Sequence, residues 1–326
     1  MPAITADPLV LPRLAPPAPT TRVRPVRLVV PARQAVEGAG FVVWRPFPVG
    51  VDPHTTDPFF LLDQLGPVHY APFEPVGAPW HPHRGFETVT YVLDGVIEHH
   101  DSNGGGGVIG EGDTQWMTAG AGILHDEVPT EAFKRSGGRS HGVQLWVNLP
   151  AALKRTPPRY QAITGDHLTL LGSPDGGALV RLIAGELDGH AGPGVTHTPI
   201  TYAHVSLSPG AELVAPWNPH FNALAYLLTG RGYAGDERRP VDQHQLVVFD
   251  NAGDGTRPDA IRIGAATEQP EESPNLEVLL LGGLPIREPI AHYGPFLMNT
   301  REEILEAIED FQTGRMGTIP AVDLSR

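Results

Sequence analysis

The sequence predicts an all-β protein made of two related domains, and three observations lead to that prediction. First, the 326 residues include 38 glycines and 35 prolines, a content that suits short strands joined by many turns better than helices. Second, a chain of this length has the size expected for two domains rather than one. Third, a short motif and the strand after it occur twice, once in each half of the chain.

Short apolar or alternating segments recur along the chain between glycine, proline, asparagine and aspartate residues. This is the pattern of the strands of a β-sandwich or β-barrel. In chain order, the segments that we predict as strands cover residues 27–31, 86–93, 142–148, 168–170, 178–184, 202–207, 222–227, 245–249 and 277–281.

One segment near the C-terminus departs from this pattern and predicts a docking helix over residues 300–312. Thr300 and Glu303 have the spacing of a capping box, in which each side chain accepts a hydrogen bond from the other residue's backbone. Acidic residues occupy the other face of this helix. The apolar residues at helical spacing are Ile304, Leu305, Ile308 and Phe311.

The repeated motif is a Trp-x-Pro-His turn that leads into a strand closed by glycine. Residues 80–83 (Trp-His-Pro-His) precede the strand TVTYVLDG, and residues 217–220 (Trp-Asn-Pro-His) precede ALAYLLTG. We therefore predict an N-terminal metal-binding domain over 23–160 and a C-terminal domain without metal over 161–326. The Pro- and Ala-rich stretch 1–22 before them is expected to be a disordered tail.

Composition excludes several classes of function. The formal net charge is −14, which argues against direct binding of nucleic acid, because that requires a basic surface. The chain has no cysteine, so disulfides and thiolate metal sites are excluded. With no long apolar run and no secretory signal in view, we expect a cytoplasmic protein without membrane contact. We also expect a monomer, since two packed barrels can satisfy their own cores.

Two residue pairs in the first half predict a metal site. His81 and His83 form an H-x-H pair, and His125 and Glu127 form a second pair with the same spacing. Residues i and i+2 of an extended chain face the same side, so two such pairs on neighbouring strands converge on one point. Three imidazoles and a carboxylate suit Fe(II), Mn(II), Ni(II), Cu(II) or Zn(II) and leave positions open for a substrate or dioxygen.

Four longer segments resemble the pirin family. They are residues 81–95 (HPHRGFETVTYVLDG), 112–127 (GDTQWMTAGAGILHDE), 140–150 (SHGVQLWVNLP) and 285–317. The resemblance implies two cupin barrels in tandem, of the double-stranded β-helix or jelly-roll kind, with Fe(II) as the expected cofactor of the N-terminal barrel. It also implies the metal ligands, which are His81, His83, His125 and Glu127.

The carboxylate ligand has a rival in Glu87, which follows His83 by four residues. In many other cupins a glutamate in that place binds the metal, whereas pirins resemble the choice of Glu127. If Glu127 is the ligand, Glu87 is expected to hydrogen-bond a ligand histidine. Asp126 stands where pirins have a small residue, and strand alternation predicts that it points away from the metal.

Other residues carry weaker functional signals. The run 99–101 (His-His-Asp) is predicted to be exposed on a hairpin whose turn is the Gly-rich stretch 103–107. His220 is interpreted as the remnant of a second site, since Asn218 replaces a histidine there. Pocket lining and core packing are both open for Phe86, Gln115, Trp116 and Met117.

The resemblance implies two classes of function. Pirin-like proteins include dioxygenases that cleave quercetin and similar flavonols with release of carbon monoxide, and in such an enzyme Glu127 or Glu87 would act as catalytic base. They also include non-catalytic regulators that act through protein partners and sense redox state through iron. A third option is chemistry on another small enolic metabolite. The dioxygenase is our first hypothesis and the regulator is the alternative.

Overall fold

The computed structural model describes residues 4–250 and 258–319. Strands make up 51% of the structure and helices 9%, which confirms the predicted all-β fold. The strands as far as residue 163 are β1 (Arg22–Val23), β2 (Val26–Pro31), β3 (Arg33–Glu37), β4 (Phe41–Phe47), β5 (Phe59–Tyr70), β6 (Ala78–His83), β7 (Phe86–Asp94), β8 (Ile97–Asp101), β9 (Gly106–Ile109), β10 (Thr114–Thr118), β11 (Ile123–Pro129), β12 (Gly138–Asn148) and β13 (Arg159–Ile163).

The second half of the described chain continues in the same manner. Its strands are β14 (Thr169–Gly172), β15 (Ala178–Leu187), β16 (His190–Ala191), β17 (Ile200–Leu207), β18 (Glu212–Trp217), β19 (Asn222–Thr229), β20 (Arg231–Ala234), β21 (Arg239–Asp242), β22 (Gln245–Phe249), β23 (Asp259–Ala265), β24 (Leu276–Gly283), β25 (Ala291–Tyr293) and β26 (Phe296–Met298). The helices are α1 (Pro53–Thr56), α2 (Glu131–Ser136) and α3 (Arg301–Gln312), with 3-10 turns at Ala151–Leu153 and Gly165–His167. None of the described helices is long and apolar enough to cross a membrane.

Contacts divide the chain into two compact units, and each unit is discontinuous in sequence. The first unit contains residues 35–43, 63–164 and 286–319, and the second contains the other described residues. By its contacts, the segment 286–319 thus belongs to the first unit. The domain limits predicted from the sequence place it in the C-terminal domain. The limits 23–160 and 161–326 stay a prediction of how the two sequence repeats divide the chain.

The first unit holds the predicted metal-binding residues, which lie on a small sheet beside a larger one. In the larger sheet, β13, β10, β7 and β12 of this unit are neighbours in that order, and the smaller sheet has the order β6-β11-β8-β9. Where β11 pairs with β6, His125 lies opposite His81, and the register then shifts between His125 and Glu127. Because such a bulge redirects the side chain that follows it, strict alternation no longer predicts where Glu127 points.

The second unit is a two-sheet structure around its own apolar core. One sheet has the order β14-β15-β17-β24-β19-β22-β2 with β16 added to β15, and the other has the order β1-β23-β20-β21 with β18 added to β23. Their buried residues form one cluster that includes Trp217 and Phe249. Apolar residues two positions apart on β17, β19 and β24 belong to this cluster, and the residues between them are also buried, so these strands appear in the sequence as largely apolar segments.

The N-terminal stretch differs from the disordered tail that its composition predicts. Leu14 is 1% exposed and belongs to the core cluster of the second unit. Its backbone N–H donates to Gly172 O at 3.0 Å, and Gly172 N–H donates to Pro12 O at 2.9 Å. One buried leucine with these two hydrogen bonds anchors the segment. Residues 1–3 of the predicted tail lie outside the described residues.

Helix α3 confirms the predicted helix and its cap, and its buried face contains part of the predicted apolar stripe. Thr300 Oγ1 accepts from Glu303 N at 3.2 Å, and Glu303 Oε2 accepts from Thr300 N at 3.0 Å, which completes the capping box. Of the predicted apolar stripe, Ile304 is buried and Ile308 packs partly buried against the same cluster, whereas Leu305 and Phe311 are exposed. The buried face also includes Asp310, because this carboxylate pairs with Arg84 at 2.7 Å.

Candidate metal centre

Three histidines from two paired strands converge in the first unit. His81 and His83 lie on β6, and His125 lies on β11. His81 Nε2 is 3.0 Å from His83 Nε2 and 2.9 Å from His125 Nε2. Within the described residues these three form a group whose ligand atoms all lie within 4.8 Å of one another. The H-x-H pair and the histidine of the second pair are therefore brought together as the spacing predicts.

Backbone carbonyls orient two of the three imidazole rings. His81 Nδ1 lies 2.8 Å from Pro79 O, and His83 Nδ1 lies 3.3 Å from Pro295 O. A carbonyl oxygen can only accept, so each Nδ1 carries the hydrogen and each Nε2 of a neutral ring keeps its lone pair. Burial lowers the pKa of His83 and of His125 well below the usual value for histidine, and the neighbouring histidines add to this effect.

This arrangement fits a divalent metal ion. Neutral imidazoles whose Nε2 lone pairs face one another at about 3 Å cannot satisfy one another by hydrogen bonds. A cation between them would bind all three lone pairs, and imidazole is a good ligand for the first-row divalent metals. The donor set alone does not select one metal from that group.

A fourth histidine, His99 on β8, supports His125 and was wrongly predicted to be exposed. His99 is 0% exposed, and its Nδ1 lies 3.3 Å from His125 Nδ1. Its Nε2 lies 3.7 Å from Asp101 Oδ2. With the His99 hydrogen on Nε2, towards Asp101, His99 Nδ1 can accept from His125 Nδ1 and leave the His125 Nε2 lone pair for a metal.

The signal for His99 was present in the sequence as the two-residue period of β8. His99 and Asp101 are buried, whereas His100 between them is exposed and pairs with Asp126 at 2.9 Å. If residues 99–101 are taken as a strand, the alternation of its side chains predicts that His99 lies on the inner face.

The carboxylate of Glu127 sits in a polar cluster, and Glu127 is outside the three-histidine group. Thr90 Oγ1 lies 2.6 Å from Glu127 Oε1, Gln115 Nε2 donates to the same oxygen, and Gln144 Nε2 lies 3.4 Å from Glu127 Oε2. Gln115 and Gln144 are register partners of Thr90 on either side of β7, so the three side chains form a row. This row of hydrogen bonds fixes the position of the Glu127 carboxylate.

The rival carboxylate, Glu87, is not brought to the histidines. Glu87 is 0% exposed, and its Oε1 accepts from Thr118 Oγ1 at 2.7 Å. Glu87 directly follows Phe86, whose ring packs 5.1 Å from the His83 ring. Consecutive strand residues point to opposite faces, so Glu87 points away from the side on which Phe86 contacts His83.

Aromatic side chains form one wall beside His83. Trp146 is half-buried, stacks on Phe86 with ring centroids 4.2 Å apart, and meets the His83 ring edge-on at 5.2 Å. The ring of His292 lies 6.3 Å from Trp146. Trp146 was not among the predicted pocket residues, although it lies in a segment that resembles pirins. Trp116, which was among them, follows Gln115 on β10 and so points to the opposite face, where it is 0% exposed.

The second copy of the motif does not form a comparable group among the described residues. His220 is exposed at the turn between β18 and β19. Asn218 uses its side chain within the turn, where Asn218 Oδ1 accepts from His220 N at 2.9 Å.

Comparison with known families gives two matches along the chain. Residues 42–147 match the family model described as Pirin, and residues 202–317 match the one described as Pirin C-terminal cupin domain. Together these two matches span both sequence repeats and all of the histidines discussed above.

Individual relatives agree with the family models. A protein of Pseudomonas aeruginosa named "Putative quercetin 2,3-dioxygenase" is 42% identical over 279 residues, which is 85% of this chain and 93% of the relative. A pirin-like protein of Arabidopsis thaliana is 41% identical over 89% of this chain and 90% of its own length. The crystal structure of a quercetin 2,3-dioxygenase from Acinetobacter baumannii superposes with a TM-score of 0.83 at 36% identity, and the match covers 92% of this chain and all of that one.

Proposed function

The chain belongs to the pirin family and has its fold of two cupin barrels, and on that premise we propose that it is a metal-dependent dioxygenase of quercetin-type flavonols. The observation that carries the proposal is the convergence of three imidazole Nε2 atoms, two of them on buried rings, in the unit that also holds a half-buried tryptophan beside His83 and a hydrogen-bonded glutamate. The names of the Pseudomonas and Acinetobacter relatives support this reaction class.

His81, His83 and His125 are the proposed metal ligands, and Fe(II) is the proposed metal. A divalent metal bound there supplies Lewis acidity towards the deprotonated 3-hydroxyl of a flavonol and redox chemistry with dioxygen. The role of the chain is to hold the three imidazole rings in a fixed orientation. Pro79 O and Pro295 O do this for two of the rings, and His99 does it for the third.

Glu127 is the proposed catalytic base. Thr90 and Gln115 stabilise its carboxylate through Oε1, whereas Oε2 has the longer contact to Gln144, at 3.4 Å. Oε2 is thus the oxygen better able to accept the proton of the substrate's 3-hydroxyl. The resemblance also implies Glu127 as fourth metal ligand. That role would require its side chain to leave part of this cluster, and it stays a prediction.

Trp146 is the proposed platform for the aromatic substrate. Its ring is supported from behind by Phe86 and stands edge-on to His83. A planar flavonol that stacks on the exposed part of this ring would be held within reach of the ligand histidines, since offset stacking of aromatic rings is favourable.

The decisive experiment is aerobic turnover of quercetin by protein loaded with Fe(II), with carbon monoxide as the product measured. We expect turnover that requires the metal and that falls by roughly 10²- to 10⁴-fold in Glu127→Gln, the usual worth of a positioned base. Metal content is determined for each variant. The control Glu98→Gln changes a partly exposed carboxylate that pairs with His100 and should keep wild-type turnover.

The outcomes separate the roles of the two glutamates. Retained metal with lost turnover in Glu127→Gln supports the base assignment, whereas loss of metal together with turnover makes Glu127 a ligand. Full turnover in Glu127→Gln contradicts both roles. Metal-loaded protein that leaves quercetin intact would overturn the dioxygenase and favour a redox-sensing regulator that acts through protein partners.

A further inference from the structure

The C-terminal part of the first unit contacts the strand end that carries His83. This C-terminal arm, defined as residues 286–319, contains β25, β26 and α3. His83 Nδ1 lies 3.3 Å from Pro295 O, and Leu297 N–H donates to Arg84 O at 3.1 Å. Arg84 also forms an ion pair with Asp310 of α3 at 2.7 Å. Two successive residues, one of them a proposed metal ligand, are thus bonded to the arm.

The next residue, Gly85, allows the arm to approach this closely. Its φ of +89° lies in the left-handed region that glycine adopts without strain. A Cβ at this position would clash with the carbonyl oxygen of Leu297 and with the sulfur of Met298. Any residue with a side chain would therefore push β26 away from the strand end that holds His83.

A buried lysine joins the arm to the barrel at the same place. Lys154 is 1% exposed, and its Nζ donates to Gly85 O at 2.9 Å, to Leu297 O at 2.9 Å and to Asn148 Oδ1 at 2.7 Å. These three acceptors satisfy the three hydrogens of an ammonium group. Burial lowers the pKa of Lys154 to about 8, and the carboxylates of Glu288 and Glu303 oppose that shift, so the ammonium form prevails at pH 7.

We propose that the C-terminal arm is a positioning element of the metal centre, and that Lys154 and Asp310 hold it so that Pro295 O aligns the imidazole of His83. The inference rests on the proposed metal site. Its physical basis is that an acceptor on the far nitrogen of a ligand histidine fixes the tautomer and the ring orientation. The orientation of one member of the three-histidine group then depends on a segment more than 200 residues away in the sequence, since His83 and Pro295 are 212 positions apart.

Cobalt(II) binding tests the inference on the full-length chain. Cobalt(II) affinity is measured by competition with a chelator, and its visible absorption spectrum reports ligand geometry. In Asp310→Asn, which removes the charge that pairs with Arg84, we expect affinity to fall on the order of tenfold with an altered spectrum. Lys154→Met should lower affinity by roughly 10- to 100-fold.

The matched control is Glu306→Gln on the same helix. Glu306 pairs with Arg155 at 2.6 Å, and both side chains are about half exposed. This variant removes an ion pair of the arm that does not involve residues 83–85, so cobalt(II) affinity and spectrum should stay at wild-type values. If Lys154→Met fails to fold, Asp310→Asn decides, because α3 loses one charge and no volume in that variant.

Two results would overturn the inference, and they are distinguishable. Folded Asp310→Asn and Lys154→Met proteins with wild-type cobalt(II) affinity and spectrum would refute the positioning role alone. Wild-type protein that takes up no cobalt(II) or Fe(II) would refute the metal site itself, and the positioning role with it.

Discussion

The two copies of the Trp-x-Pro-His motif differ in local structure. In the first unit, residues 80–83 belong to strand β6 and present two histidines to a shared point with His125. In the second unit, the turn at 217–220 leaves His220 exposed and buries Trp217, whose Nε1 donates to Asn222 O at 3.2 Å. The tryptophan and the following strand are thus present in both copies, whereas the convergent imidazoles occur in one.

A buried arginine closes the second turn. Arg24 is 0% exposed and donates to Asn218 O at 2.9 Å, to Phe221 O at 2.8 Å and to Asp259 Oδ2 at 3.0 Å. Carbonyl groups that turn inwards require donors, and a guanidinium supplies several in a fixed plane. The second copy of the motif is thus stabilised by an Arg–Asp pair, whereas the first copy brings histidines together.

The largest expected difference between the two copies comes from removing a histidine from each of them. His83→Ala should weaken Fe(II) or cobalt(II) binding by more than roughly 100-fold, because even outer partners of metal ligands contribute 10- to 100-fold. His220→Ala should leave metal binding unchanged, since that ring is exposed and outside the group. Metal content per chain measures both, and equal effects of the two variants would contradict the asymmetry.

A second test addresses the arginine that closes the second turn. Arg24→Met leaves Asp259 and two inward carbonyls with fewer donors, so the free energy of unfolding should fall by about 3–5 kcal/mol. Arg22→Met is the matched control. Arg22 pairs with the same aspartate at 3.0 Å, but its side chain is 35% exposed, and the expected loss is below about 1 kcal/mol. Urea denaturation followed by tryptophan fluorescence compares them, and equal midpoints would show that burial of Arg24 contributes little.

The variant with the smallest expected effect places a second histidine in the second copy of the motif. Asn218→His recreates the H-x-H spacing in the second turn. Metal content per chain should nevertheless stay at the wild-type value, because the second unit offers no partner for a three-residue group among its described residues. A second equivalent of bound metal would show that the missing histidine alone separates the two copies.

Much of the fold and part of the site could be read from local patterns. The predicted strands, the capping box of α3 and the convergence of His81, His83 and His125 depend on residues that are near in sequence or on strand alternation. The same rule could have found His99, whose neighbours on β8 alternate between buried and exposed. That the buried face of α3 includes Asp310 could not be predicted, because Asp310 is buried by Arg84, which lies 226 positions away.

The choice between the two glutamates shows where local reasoning ends. Both Glu87 and Glu127 have spacings that suit a carboxylate ligand. Strand alternation puts Glu87 on the face opposite Phe86. That this is the face away from the histidines follows only from the structure, in which Phe86 contacts His83. The bulge after His125 depends on how β11 pairs with β6, and neither strand encodes it alone.

The sequence by itself determined the all-β class, the family, the histidine pairs and the absence of thiolate ligands, because periodicity, spacing and composition are properties of the chain. Tertiary structure decided which groups orient those histidines. Pro295 O, Lys154 and Asp310 meet the strand end at 83–85 from distant parts of the chain. Such contacts depend on how whole strands and helices pack. Burial of apolar faces fixes where these elements lie, and buried polar groups then form hydrogen bonds with the neighbours that this packing brings close.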